Sequence, residues 1–114
     1  MAGNPNEILR SMIILHDPQC ADYGTSLRPE QPARATKSEA HLRSHHPEWV
    51  WQLPPVAPEA ALLAAHTASH LKRLHRPPAF DADTPYYPDI YDHARRAAGA
   101  ALEAVNLAWQ HHRP

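Results

Sequence analysis

His66 and His70 stand four residues apart, a spacing that places two imidazoles on one helical face, as divalent-metal sites often require. No glutamate follows His66 to act as a general base, and the pattern supplies no third ligand, so surface or capping roles compete with ligation. The tandem pairs His45-His46 and His111-His112 fall at predicted helix ends, where cationic or hydrogen-bonding side chains meet unpaired carbonyls. Cys20 is the sole cysteine and has no base fixed beside it. Asp81 and Asp83 have the chemistry of an acid/base pair, although loop carboxylates more often cap turns. There is no glycine-rich phosphate loop, no Cys-x-x-Cys and no nucleophile elbow. By themselves these residues define no active site.

The elements that must position them are short and bounded by proline. Residues 1–11 are polar and aperiodic and read as a leader. Met12-Ile13-Ile14-Leu15 is uniformly apolar, which predicts a strand covered on both faces, ended by Asp17-Pro18. A loop over 19–31 leads to Pro32, whose missing N–H suits the first turn of a helix running to about Ser44. The thin apolar content of that helix predicts a surface position, and His46-Pro47 stops it. A second strand is expected around Val50, Trp51 and Leu53, closed by Pro54-Pro55. Two short helices follow, the first opened by Pro58-Glu59 and the second capped by Thr67 and carrying Leu71 and Leu74. A loop over 77–88 then sets the Tyr86-Tyr87 pair beside carboxylates.

The last helix opens at Pro88-Asp89. Its polar positions Asp92, Arg96, Gly99, Glu103, Asn106 and Gln110 recur at helical steps and form one narrow stripe. Apart from Arg95, the remaining circumference is largely apolar, including Ile90, Leu102, Val105, Leu107 and Trp109. Such a helix expects neighbours on several sides, more than two short strands and three modest helices supply.

Composition narrows the function. The 114 residues hold 13 prolines but only 3 glycines, with 43% hydrophobic and 20% charged residues, the profile of a folded, helix-rich chain with rigid turns. A net charge of −1, with histidines neutral, provides no basic field for nucleic acid. No apolar run approaches a membrane span, and the N-terminus lacks a secretory pattern. One cysteine allows no intrachain disulfide, so a reducing cytoplasm is the expected compartment. Ten histidines would make the chain markedly cationic on mild acidification.

The ordered strings ILHDPQCADYG, LRPEQPARATKSEAHLRSHHPE, PEAALLAAHTASHLKRL and FDADTPYYPDIYDHARRAAGAALEAVNLA resemble the opening portion of the histone deacetylase superfamily. That superfamily includes bacterial deacetylase-like amidohydrolases and acetylpolyamine amidohydrolases. The resemblance runs from about Met12 to the end and implies an α/β fold: the N-terminal part of an arginase-like three-layer domain built on a parallel sheet, with about two short strands here. It implies metal-assisted hydrolysis of an N-acetyl amide such as acetyl-lysine or an acetylpolyamine, with zinc held by two aspartates and a histidine. Those ligands, the tandem catalytic histidines and the carbonyl-polarising tyrosine belong to motifs that would follow Pro114. Neither His45-His46 nor His111-His112 has the Gly-His-His-Ala setting of the family pair. This chain is therefore expected to bind no zinc and, alone, to be inactive.

Three positions carry over from the resemblance. Arg34 matches the arginine near the internal channel associated with acetate release, a role suited to a guanidinium. Asp83 matches the rim aspartate that accepts hydrogen bonds from substrate backbone, and Tyr23 falls in the first pocket-flanking loop. A structural helix-entry arginine and a loop-capping aspartate are the competing roles. Arg28 stands where a histidine commonly precedes Pro-Glu, and His70 where a tyrosine is frequent, so the substrate stays open. The alternatives are a non-enzymatic helical module that self-associates through apolar surface on its last helix, and a small metal-binding protein using His66 and His70.

Overall fold

The computed structural model describes residues 12–77, 81 and 84–111. The expected leader and Asp83 lie outside the described residues. Two three-residue strands, β1 (Ile13–Leu15) and β2 (Val50–Gln52), pair in parallel, with Ile13 opposite Val50, Ile14 opposite Trp51 and Leu15 opposite Gln52. Val50 N–H donates to the Met12 carbonyl at 2.9 Å, and His16 N–H to that of Gln52 at 3.0 Å, extending the ladder at both ends. Parallel neighbours need a crossover. Here it consists of a 3-10 turn at Pro18–Ala21 and helix α1 (Pro32–His45), giving a β-α-β unit and a small mixed α/β arrangement.

Local chemistry sets the element ends. Asp17 caps the 3-10 turn by accepting from Gln19 N–H at 3.0 Å. Proline opens α1, and its C-cap is His46, the residue before Pro47, where a proline disfavours helical backbone. Helix α1 buries no residue, in keeping with its thin apolar content. The strands depart from expectation. All three β1 residues are half-buried, because among the described residues the uniformly apolar segment pairs with one strand at the edge of a two-stranded sheet.

Helices α2 (Glu59–Leu63) and α3 (Ala68–Arg73) match the two short helical pieces, and Thr67 caps α3 by accepting from His70 N–H at 3.1 Å. Tyr86 ties the end of α3 forward by donating its hydroxyl to the His75 carbonyl at 2.9 Å. The His75 ring in turn lies 4.1 Å from that of Tyr91, which is buried, as are Leu71 and Ala57.

Helix α4 (Ile90–His111) starts after Asp89, whose φ of 64° is tolerated by aspartate better than by most residues. The helix packs opposite to the simple amphipathic expectation. Gly99, read as part of the polar stripe, is buried: a Cβ there would meet the Pro55 carbonyl oxygen at 2.0 Å and Ala57 N at 2.7 Å. The proline-bounded segment after β2 crosses α4 at this notch. Arg95 fastens the crossing, donating from Nε and a terminal nitrogen to the Ala57 carbonyl at 3.0 and 2.8 Å, while Ala57 N–H donates to the Arg95 carbonyl. Leu102, Val105 and Trp109 consequently face outward, with Trp109 81% exposed.

Candidate functional site

Tyr23 is the hub of the most feature-rich surface. It follows the 3-10 turn and precedes Gly24, whose φ of +90° swings the chain back so that the Glu30 carbonyl and Pro32 ring come close. The Tyr23 hydroxyl donates to Glu30 Oε1 at 3.0 Å. Its ring lies 4.6 Å from that of His93 on α4 and 5.9 Å from that of Tyr87. Partial burial, then the Glu30 carboxylate, push the phenol above its ordinary pKa, so this tyrosine is neutral and acts as a hydrogen-bond donor.

Three adjoining depressions share Tyr23. The tightest, of about 270 Å³, is lined by Tyr23, Arg28, Glu30, Arg34 and Tyr87 together with Pro29 and Pro85. A second, of about 440 Å³, sets Cys20 and Ser38 beside Tyr23 and Arg34. The widest, of about 660 Å³, runs along the start of α4 past Asp22, Asp92, His93 and Arg96. Arg34 sits in the first turn of α1 and is exposed, its backbone N–H bonded to the Gln31 carbonyl. The structure thus brings together two of the three residues singled out by resemblance, Tyr23 and Arg34, on one cavity wall.

Around this surface the ionisable groups are held in definite forms. Arg96 bridges Asp17 at 3.7 Å and points a terminal nitrogen at His93 Nδ1 at 3.2 Å. A guanidinium can only donate, so His93 Nδ1 accepts and the ring carries its proton on Nε2 when neutral. Cys20 is exposed, but partial desolvation and then Asp17 and Glu39 raise its thiol pKa, which disfavours the thiolate a nucleophile needs. Asp81 is engaged with Thr84 in an isolated bridge, as a turn residue is.

Other sequence candidates fall elsewhere. His66 precedes the Thr67 cap and is outside the helix that carries His70, although their rings remain 5.2 Å apart. His45 meets the helix-end expectation: its Nδ1 lies 2.9 Å from the His41 carbonyl. His93 and Arg96 are site residues that sequence reasoning did not single out for chemistry, whereas Tyr87 belongs to the loop picked out for its aromatic pair beside carboxylates. The i, i+3 spacing of His93 and Arg96 on a predicted helix was the available signal, but their approach to Tyr23 joins segments seventy residues apart. Among the described residues, no group of three or more His, Cys, Asp or Glu side chains is placed to hold a metal. No helix among them is long and apolar enough to cross a membrane.

No protein-family model, curated protein or solved structure matches the chain.

Proposed function

We propose that the chain is the N-terminal part of a zinc-dependent, deacetylase-like amidohydrolase domain with the arginase-like three-layer fold, acting on N-acetyl amides of the acetyl-lysine or acetylpolyamine type. The observation that carries this reading is the convergence of Tyr23 and Arg34 on one cavity of about 270 Å³, in a chain that also holds a parallel strand pair. A channel arginine and a pocket-flanking tyrosine have to be neighbours if both serve one acyl substrate. Arg34 offers a guanidinium to a carboxylate such as acetate, and Tyr23 offers an aromatic face to the substrate stem. Among the described residues no group of three or more His, Cys, Asp or Glu side chains is gathered for the catalytic metal; in this reading its ligands and the tandem histidines are contributed by other parts of the polypeptide, where zinc, when bound, supplies the Lewis acid and activated water.

The test uses two proteins: these 114 residues, and the same residues extended by the coding sequence that follows them. The extended protein is expected to hydrolyse an acetyl-lysine peptide or an acetylpolyamine in a zinc-dependent manner, and the 114 residues alone are not. Within the active protein, Arg34→Ala is expected to lower turnover about tenfold, the value of roughly one charge-assisted contact. Zinc-dependent hydrolysis by the 114 residues alone, or none by the extended protein, would overturn the proposal.

A second reading, a helical interaction module, is favoured by one observation: Leu102, Val105 and Trp109 line an exposed apolar strip on α4.

A further inference from the structure

We infer that the C-terminal turns of α1 hold a two-histidine site for an imidazole-preferring divalent transition-metal ion, formed by His41 and His45. This inference is independent of the deacetylase reading. The residues stand four apart within a continuous 14-residue helix, both exposed, with ring centroids 3.9 Å apart and planes 23° from parallel. His45 Nδ1 lies 2.9 Å from the His41 carbonyl oxygen. A carbonyl only accepts, so Nδ1 carries the proton and the neutral ring keeps its Nε2 lone pair facing away from the backbone. Fixing one ring nitrogen as donor to a backbone carbonyl, to free the other for the ion, is the usual arrangement behind a metal-bound histidine.

Geometry and charge agree. With metal–nitrogen bonds of about 2.0–2.1 Å, two donors on one ion must approach to about 3 Å. The rings are stacked with their centroids 3.9 Å apart, so rotation of both side chains is what brings one nitrogen of each onto a shared ion. The pair occupies the negative end of the helix, where the unpaired carbonyls favour a cation. Two cations oppose it: Lys37, one turn earlier, borders the same shallow depression as His41, and Arg43 stands in the last turn, where Glu39 offsets its charge. Most other described histidines are engaged differently. His16 bonds Glu39, His46 stacks on Trp49, His75 lies on Tyr91, and His93 accepts from Arg96. His66 and His70 are also close, but they straddle the Thr67 cap, which denies them a shared regular helix. Two protein nitrogens leave the remaining coordination positions to solvent or to an exogenous ligand, and Cu²⁺, Ni²⁺ and Zn²⁺ all accept imidazole.

The experiment is site-resolved. NiCl₂ is titrated into the 114-residue chain in a non-coordinating buffer near pH 7.5 while histidine ring signals are followed by NMR. Paramagnetic broadening of His41 and His45 together, at lower metal than for His66 and His70, is expected. His41→Ala and His45→Ala should each weaken this binding at least tenfold, and Lys37→Gln should tighten it severalfold. Alanine is the best helix former, so both exposed substitutions leave α1 intact. Protection by only one of the two alanine variants, earlier broadening at His66 and His70, or unchanged nickel binding in the double variant would each overturn the site.

Discussion

Glu39 shows how one side chain can hold three elements. Its Oε1 lies 3.1 Å from His16 Nε2, just after β1, and its Oε2 accepts from Arg43 Nε at 3.0 Å on α1. The Arg43 guanidinium lies 4.0 Å from the centroid of the Trp51 ring on β2, and His16 meets that ring edge-on at 5.5 Å. The cation and the T-shaped ring pair both favour this arrangement. Arg43 is the first cause holding the Glu39 carboxyl below its ordinary pKa, with His16 adding to it against partial desolvation. Because the folded-state pKa is lowered, the stabilisation is present above the ordinary glutamate value of about 4.3 and is lost as pH falls through the lower folded value. Glu39→Gln is therefore expected to reduce stability at neutral pH and to flatten this part of the acid limb, as read by denaturant midpoints between pH 6 and pH 3. An acid limb of unchanged steepness would show that the network does not couple the strands to α1.

At the scale of elements, the crossing of α4 by the segment after β2 matters most, because it decides which face of the longest helix is covered. Gly99 is required there by proximity: its missing side chain admits the Pro55 carbonyl. Gly99→Ala should gain about 1 kcal/mol of helix propensity. It should lose more by displacing the crossing backbone, since overpacking costs about 1–3 kcal/mol and a backbone oxygen yields less readily than a side chain. The expected result is a lower urea midpoint for Gly99→Ala and no such loss for the outward Ala101→Gly beyond its propensity cost of about 1 kcal/mol. The α3 cap offers a second check: Thr67→Ala removes the acceptor for His70 N–H and should cost about 1 kcal/mol by the same measurement.

For the molecule as a whole, surface is the distinguishing quantity. The accessible area is 8369 Å², whereas a compact monomer of 12.8 kDa exposes about 6,300 Å². The radius of gyration is 16.5 Å against about 13 Å for a compact chain of this length. Part of the excess is the apolar strip of Leu102, Val105 and Trp109, joined in exposure by Leu53 and Val56. Such surface drives association in water. Sedimentation velocity is expected to show concentration-dependent association of the 114-residue chain, reduced in a Leu102→Ser, Val105→Ser, Trp109→Ser variant. A discrete dimer favours the interaction module; polydisperse association favours a surface that completes a larger α/β domain. A monodisperse monomer at all concentrations would remove the strip as an interaction surface.

Proline positions, the Thr67 cap, the ends of α1, its surface placement and the two short strands were all legible in the sequence, because each depends on backbone constraints or hydrogen bonds a few residues long. Arg34 and Tyr23 could be singled out there, but whether they meet could not. Periodicity counted Gly99 with the polar stripe and Arg95 as an exception, whereas the packed helix uses both against Pro55 and Ala57. The parallel register, the Tyr23–His93 contact and the outward apolar strip likewise arose only in three dimensions. Local chemistry limits where an element starts and stops; which of its faces is covered depends on a partner distant in sequence, and a single chain's periodicity does not contain that partner's position.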